Sequence, residues 1–408
     1  MPQRRKSVRR DLRISIVDGS FWSFMTAFGE RYFGAFALAV GLGQVASGWV
    51  AMLPMLGGAL IQLLSPLLIR VTGSLRRAVL VGCGVQALSF APLVYAAYHG
   101  RIPLVMMLLV ASIFWGGGLI AAPPWNTWMG QIVPRRIRAR YFATRSRTMQ
   151  ICVCIGLLLA VAVRNQFGQD EAPFWGYVIM FTIAGVCRGI STALLASQRE
   201  PPPLQRSAAP PRWWEALNLR SRVGGVLLFV FIFQFAFQIA QPYLTPYLMH
   251  HLRFGHAPFA TVLAAEFLGR VIALQWVGRL AERHGAAWLL MVGLVVLTPL
   301  PLLWLVSGAV AWIVSLQIVA GGALACYEIG IFLMLLEVVP DEQRPTVVTI
   351  YQLIWASGAA AGTLLGGEVL RSLGAGWGGY AAVFGAALVL RAGVVAYLWR
   401  FRRRHAEA

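Results

Sequence analysis

Of the 15 Asp and Glu in the 408 residues, the glutamates Glu30, Glu266 and Glu328 stand inside long apolar runs. An ionised side chain at the centre of a lipid-crossing helix costs about 2.5–3.5 kcal/mol on insertion scales, so each must face a partner, a cavity or water. A carboxyl group held partly away from water can also take up and release a proton near neutral pH. Glu30 and Glu328 are the two best candidates for that chemistry. Glu30 is followed by Arg31, and on a helix two adjacent side chains diverge by about 100°. Glu30 therefore reads either as a proton or substrate-cation site, or as half of a buried structural ion pair. Glu266 and Arg270 are four residues apart in the acid-first order that favours an intrahelical pair, and protonation of Glu266 would free Arg270 for another acid. Glu328 has Gly321, Gly322 and Gly330 nearby, which allow close helix approach.

Two arginines, Arg188 and Arg391, lie at similar depths in the sixth and twelfth apolar runs. Each could bind an anionic solute, neutralise Glu30 or Glu328, or snorkel toward an interface. Asp18, at the start of the first run, reads as an interface residue or helix cap. The seventh run supplies Gln234, Gln238 and Gln241, followed by Pro242, Tyr243, Pro246 and Tyr247. A spacing of four puts the first two amides on one stripe, and the prolines leave carbonyls without helical partners, as in broken helices that line a pore. With Tyr351, Gln352 and Trp355 they would make a polar and aromatic wall suited to an uncharged or amphipathic solute. Helix-to-helix hydrogen bonding is the plainer reading. Trp125, Trp128, Trp213 and Trp214 read as interface anchors.

The elements that must position these groups follow from composition. The chain is 58% hydrophobic and 12% charged, where soluble domains carry about 25% charged residues. A hydrocarbon layer of about 30 Å needs about 20 helical residues. Apolar runs of that length fall near 17–41, 46–69, 78–98, 102–125, 146–166, 173–196, 222–248, 257–278, 286–307, 309–335, 346–367 and 377–399. They are apolar all round with scattered Gly and Ala, as packed membrane helices are. The fold class is therefore an all-α membrane protein of twelve transmembrane helices in two pseudo-repeated six-helix bundles. The N-terminal half spans 1–197, a Pro-rich cytoplasmic linker 198–221, and the C-terminal half 222–408.

Most of the 35 Lys and Arg fall on one side of that map, including the tract from Arg135 to Arg147, while the other side holds Arg101, Arg164, Arg253 and Arg371. The positive-inside rule then puts both termini in the cytoplasm of an inner-membrane protein. The formal charge of +20 reads as topology signal and anionic-lipid contact, not as a nucleic-acid surface. Cys83, Cys152, Cys154, Cys187 and Cys326 lie within apolar runs without the spacing of a metal site or disulfide framework. They read as packing residues, and no cofactor or metal is expected.

Internal repetition supports the two halves. After the fourth run come Val133, Pro134 and Arg138, and after the tenth come Val339, Pro340 and Arg344 with the same spacing among the three. The loop after the eighth run reads GRLAERHG, from Gly278 through Glu282 and Arg283 to Gly285. It resembles the cytoplasmic G-x-x-x-D/E-R-x-G signature of the major facilitator superfamily, and the resemblance extends over the whole chain. In the first half, aligning Gly73 with Gly285 puts Pro66 at the first glycine and Arg70 at the acid, leaving only Arg76 and Arg77 of the pattern. The stretch from Pro123 to Phe142 is similar to the junction of the fourth and fifth helices in many bacterial members. The resemblance implies a secondary active transporter working by alternating access, with Gly278, Glu282, Arg283 and Gly285 as a gating loop.

The expected partners are a small-molecule solute, a coupling proton and membrane lipids, with the chain acting as a monomer. Facilitated diffusion is the alternative, followed by a polytopic membrane enzyme or a non-transporting sensor. No nucleotide-binding P-loop is present in the sequence. The histidines His250, His251 and His256 gather between runs seven and eight without a metal-binding spacing, and no catalytic residues are assigned.

Overall fold

A computed structural model describes residues 2–167, 174–200, 218, 221–254, 256–341, 343–374 and 376–406. The linker residues Arg206, Arg212, Trp213, Trp214 and Arg220 lie outside them. All regular structure among the described residues is helical, and the twelve expected spans are all present. We number them α1 to α12. Span α1 is Pro2–Phe28 with Phe33–Ala39, α2 is Gly43–Gln62 with Ser65–Thr72, and α3 is Leu75–Leu88 with Phe90–His99. Spans α4, α5 and α6 are Leu104–Ile132, Arg138–Gln166 and Trp175–Ser197. Span α7 begins as Arg222–Gln238 and continues through short turns to His251, and α8 is His256–His284. Span α9 is Ala286–Leu297 with Leu300–Leu303, and α10, α11 and α12 are Val310–Val338, Arg344–Leu373 and Trp377–Ala406.

Several helices outrun their apolar cores. The helix of α1 starts at Pro2 and α5 at Arg138, because a polar, arginine-bearing segment can stay helical once it leaves hydrocarbon. Among the described residues ten helices are long and apolar enough to cross a membrane, and the two pieces of α2, bent by 46°, make up to eleven. Span α1 is interrupted by a 3-10 turn at Glu30–Tyr32. No proline causes that turn. A Cβ on Gly29 would lie 2.4 Å from the Phe90 ring, so the bare backbone lets the aromatic core close over the bend.

The chain divides into two compact units. Unit 1 is Met1–Pro134, Thr148–Ala209 and Asp341–Thr349, and unit 2 is Arg135–Arg147, Pro210–Pro340 and Ile350–Ala408. Unit 1 is centred on an aromatic cluster in which Phe33 meets Phe114 edge-on at 5.0 Å, Phe36 meets Phe181 at 5.1 Å and Phe90 meets Phe114 at 5.4 Å. Unit 2 is built on backbone contact. A Cβ on Gly321 of α10 would lie 2.0 Å from the Glu266 carbonyl oxygen of α8, and one on Gly269 would lie 2.0 Å from that of Ile318. Along α11, Gly358, Gly362 and Gly366 meet the carbonyls of Phe231, Phe235 and Ile239 of α7 in the same way.

These contacts make a sharp expectation. Gly321→Ala should destabilise the protein by about 1–3 kcal/mol, because the obstacle is a backbone atom that cannot rotate away. Gly84→Ala, where an added Cβ meets nothing within 4 Å, should leave thermal unfolding in detergent near wild type.

Candidate functional site

In unit 2, α8 and α10 bring three charged groups together because their glycines let the backbones touch. Arg270 donates to Glu266 Oε1 at 2.9 Å on its own helix and to Glu328 Oε1 at 2.6 Å on α10. One guanidinium thus answers two carboxylates. Their environments differ: the Glu328 side chain is 45% exposed, against 20% for Glu266 and 17% for Arg270. Flanking residues Tyr327 and Ile329 are buried, so Glu328 is the accessible group on an otherwise buried stretch of α10. Tyr351 of α11 lies within electrostatic range of Glu328. Gln234 of α7 donates to the Tyr327 hydroxyl at 3.3 Å. Gln234, Glu266, Arg270, Glu328 and Tyr351 therefore form one neighbourhood drawn from α7, α8, α10 and α11. The Gln234 amide is engaged between helices there, while Gln238, Gln241 and Gln352 are half-buried.

Glu30 sits in unit 1 at the 3-10 turn of α1, half-buried beside the exposed Arg31. Among the described residues it accepts no side-chain hydrogen bond, and Arg31 is the charge that acts on it.

The remaining arginines of interest are placed differently from the sequence expectations. Arg188 neither snorkels nor meets Glu30. It is 4% exposed and donates to Ser191 Oγ at 2.9 Å and to Cys83 Sγ at 2.9 Å. Ser191 in turn donates to Asp18 Oδ1 at 2.5 Å. Asp18 is 3% exposed, so it is an interior acid and not the interface residue or cap its position suggested. Nothing in the sequence pairs Asp18 with Arg188, since they are brought together only when α1, α3 and α6 pack.

Arg391 has no carboxylate partner among the described residues. It is 2% exposed and donates to the backbone carbonyls of Leu297 at 2.7 Å, Phe237 at 3.0 Å and Ala236 at 3.5 Å. Its guanidinium also lies 4.8 Å from the Phe237 ring centroid. On α7 this arginine takes carbonyls at the end of the Arg222–Gln238 helix, just before the Gln238 carbonyl that Pro242 leaves without a helical partner. Trp128 is likewise no interface anchor, being fully buried with its indole N–H donating to the Arg199 carbonyl at 3.0 Å.

The loop residues fall into place around the start of α5. Gly278 approaches that helix so closely that a Cβ would lie 2.6 Å from Arg140 Cα. One turn on, Glu282 accepts from Arg140 at 2.8 Å. Gly285 ends α8 with a φ of +85°, a conformation that disfavours a side chain, and Arg283 is exposed. Sequence reasoning placed Arg140 in a basic tract without singling it out; the acid in the Gly278–Gly285 signature was the available clue that a cation would stand opposite. The first-half loop is wired otherwise. Arg76 donates to the carbonyls of Ala196 and Gln198, at 3.4 and 3.1 Å, and stands 3.6 Å from Glu200. It closes the C-terminal end of α6, where the helix dipole is negative.

Long apolar helices in glycine contact, with charged groups within them, define a multi-pass membrane protein. Residues 226–408 match the family model of the Major Facilitator Superfamily. Curated protein sequences give no match. Among solved structures, the chain is similar to the transporter FucP in the outward conformation, with 15% identity, a TM-score of 0.76, and 96% of this chain and 98% of that chain covered. It is similar to the proton:xylose symporter XylE, with 10% identity, a TM-score of 0.72, and coverage of 97% and 96%. It is also similar to the human organic anion transporter MFSD10, with 15% identity, a TM-score of 0.70, and coverage of 98% and 100%. That fold is shared along nearly the whole length of the chain, and residues 226–408 are similar in sequence to the superfamily.

The interior network of unit 1 has a measurable consequence. Asp18→Asn leaves Arg188 buried without its acid and should cost about 3–5 kcal/mol. Replacing both, as Asp18→Leu with Arg188→Met, should recover much of that loss. A double-mutant cycle on thermal unfolding checks this, and strictly additive losses would contradict it.

Proposed function

We propose that the protein is a secondary active transporter that moves a small solute across the inner membrane by alternating access, coupled to protons through Glu328 with Glu30 as a second acidic site. The observation that carries this reading is the accessible carboxylate of Glu328, hydrogen-bonded to an arginine that a second acid, Glu266, also holds. With two acids sharing one cation, a proton can enter at Glu328 while Arg270 keeps a counter-charge in Glu266. Loss of the proton restores the second bond. The site can thus change its charge without stranding Arg270 in a low-dielectric interior. Among fold relatives, XylE is named as a proton:xylose symporter and FucP as an E. coli fucose:proton symporter, which supports proton coupling, while the organic anion transporter MFSD10 argues that the fold by itself does not fix the solute.

The half-buried Gln238, Gln241, Tyr351 and Gln352 supply amide and aromatic surface for solute contact. The loop Gly278, Glu282, Arg283 and Gly285, through Glu282 and Arg140, serves as the gate, which we place on the cytoplasmic side with both termini. The protein works as a monomer surrounded by lipid.

A panel of solutes screened for thermal stabilisation identifies a ligand, because binding to the folded state raises its melting temperature. With that solute in sealed vesicles, wild-type protein should show solute-dependent proton movement. Glu328→Gln should abolish the proton movement while keeping the thermal stabilisation, and Glu30→Gln should reduce it. Solute flux without accompanying proton or sodium movement would replace the reading with facilitated diffusion, and proton flux unchanged in both variants would remove these acids from coupling.

A further inference from the structure

Arg391 poses a separate problem: a guanidinium in the interior with no acid to answer it. Its acceptors show what answers it instead. In an unbroken helix the Leu297 carbonyl would receive the N–H of residue 301, but that residue is Pro301, which has none. The carbonyl is orphaned by sequence, and Arg391 Nη1 takes it at 2.7 Å.

In α7 the same chemistry acts one turn from Pro242. The proline has no N–H for the Gln238 carbonyl, and its ring crowds that carbonyl, so the α-helix cannot continue through it. The helix accordingly ends at Gln238 and resumes as a 3-10 turn over Gln241–Tyr243. The carbonyls of Ala236 and Phe237 receive no backbone N–H from Ala240 or Gln241, and both accept from Arg391. Two helix C-termini, each carrying about half a negative charge, therefore converge on one positive charge, and the sum is close to neutral.

The two pieces of α7 are also packed on different neighbours. The inner piece rides on α11 through Gly358, Gly362 and Gly366. The outer piece is held by the Tyr247 hydroxyl on the Trp304 carbonyl of α9 at 3.3 Å and by Tyr247 against Tyr380 of α12 at 5.1 Å. Arg391 stands at the joint.

We infer that Arg391 is a positioning residue, a pin that fixes the break in α7 to the break in α9 and so sets the placement of Gln238 and Gln241 on either side of the α7 joint. Its partners are the carbonyls of Ala236, Phe237 and Leu297 and the Phe237 ring, none of them in the Glu328 cluster. The importance of those glutamines rests on the transport reading above, but the pin itself does not, and its test needs no solute.

Segment-resolved amide hydrogen exchange on the purified full chain in detergent provides the test. Arg391→Met should speed exchange at least tenfold over residues 239–244 and 298–304, with α4 in unit 1 unchanged. Arg391→Lys keeps the charge but lacks the planar fork needed to bridge three carbonyls, and should give a smaller increase at the same two segments. Adding Pro301→Ala to Arg391→Met returns an N–H to the Leu297 carbonyl, so it should slow the α9 segment and leave the α7 segment fast. Equal acceleration everywhere, or wild-type exchange at both breaks, would overturn the inference. Should Arg391→Met fail to fold, the Lys variant decides by the same criterion.

Discussion

Charge inside a low-dielectric interior is the constraint around which this molecule is arranged. Each interior arginine must be matched by negative charge or by aligned dipoles, because an unmatched one costs several kcal/mol. The protein meets that demand in three ways. Arg270 is matched by two side-chain acids, Glu266 and Glu328. Arg188 is tied through Ser191 to Asp18. Arg391 is matched by the carbonyl ends of two interrupted helices. Of these three, the first leaves an acid accessible, and the proposed coupling site rests on that difference.

The close approach of backbones is what makes the first arrangement possible. Gly269 and Gly321 let α8 and α10 come within reach of each other's carbonyls, so a short side chain such as Glu328 reaches Arg270 at 2.6 Å. A residue with a Cβ at either glycine would hold the helices apart, and the acid on α10 would lose its cation. Small residues in these spans thus set the electrostatics as well as the packing.

The twelve spans were legible because a lipid-crossing helix must be long, apolar and self-bonded, leaving few alternatives. The Glu266–Arg270 pair was legible because its members are four residues apart on one helix. Glu328 was recognisable as an interior acid, but its partner was not, since that depends on how α8 and α10 are set against each other. The pairing of Asp18 with Arg188 was hidden for the same reason. The acceptors of Arg391 were hidden more deeply, because they are backbone carbonyls and every residue has one. The prolines at 242 and 301 were visible, yet which side chain would cover the carbonyls they expose is a fact of tertiary structure. The turn at Glu30–Tyr32 had no proline to mark it and follows from the fit of Gly29 against Phe90.

The two halves show how a repeated architecture can diverge at equivalent points. Arg188 and Arg391 occupy similar depths in the last span of each half, and a shared origin would lead one to expect shared partners. Instead the first half supplies an acid from α1, and Asp18, Cys83 and Arg188 all lie within continuous helical stretches, Pro2–Phe28, Leu75–Leu88 and Trp175–Ser197. The second half supplies no acid and breaks α7 and α9 beside the arginine, so that the ends of the helices do the work of a carboxylate. A side-chain acid balances charge while leaving the helices continuous. Carbonyls exposed at breaks balance charge only while the helices remain bent, which ties the burial of Arg391 to the shape of α7. On this argument the shape of α7 and α9 is bound to the charge of Arg391, whereas the charge of Arg188 is balanced by a side chain.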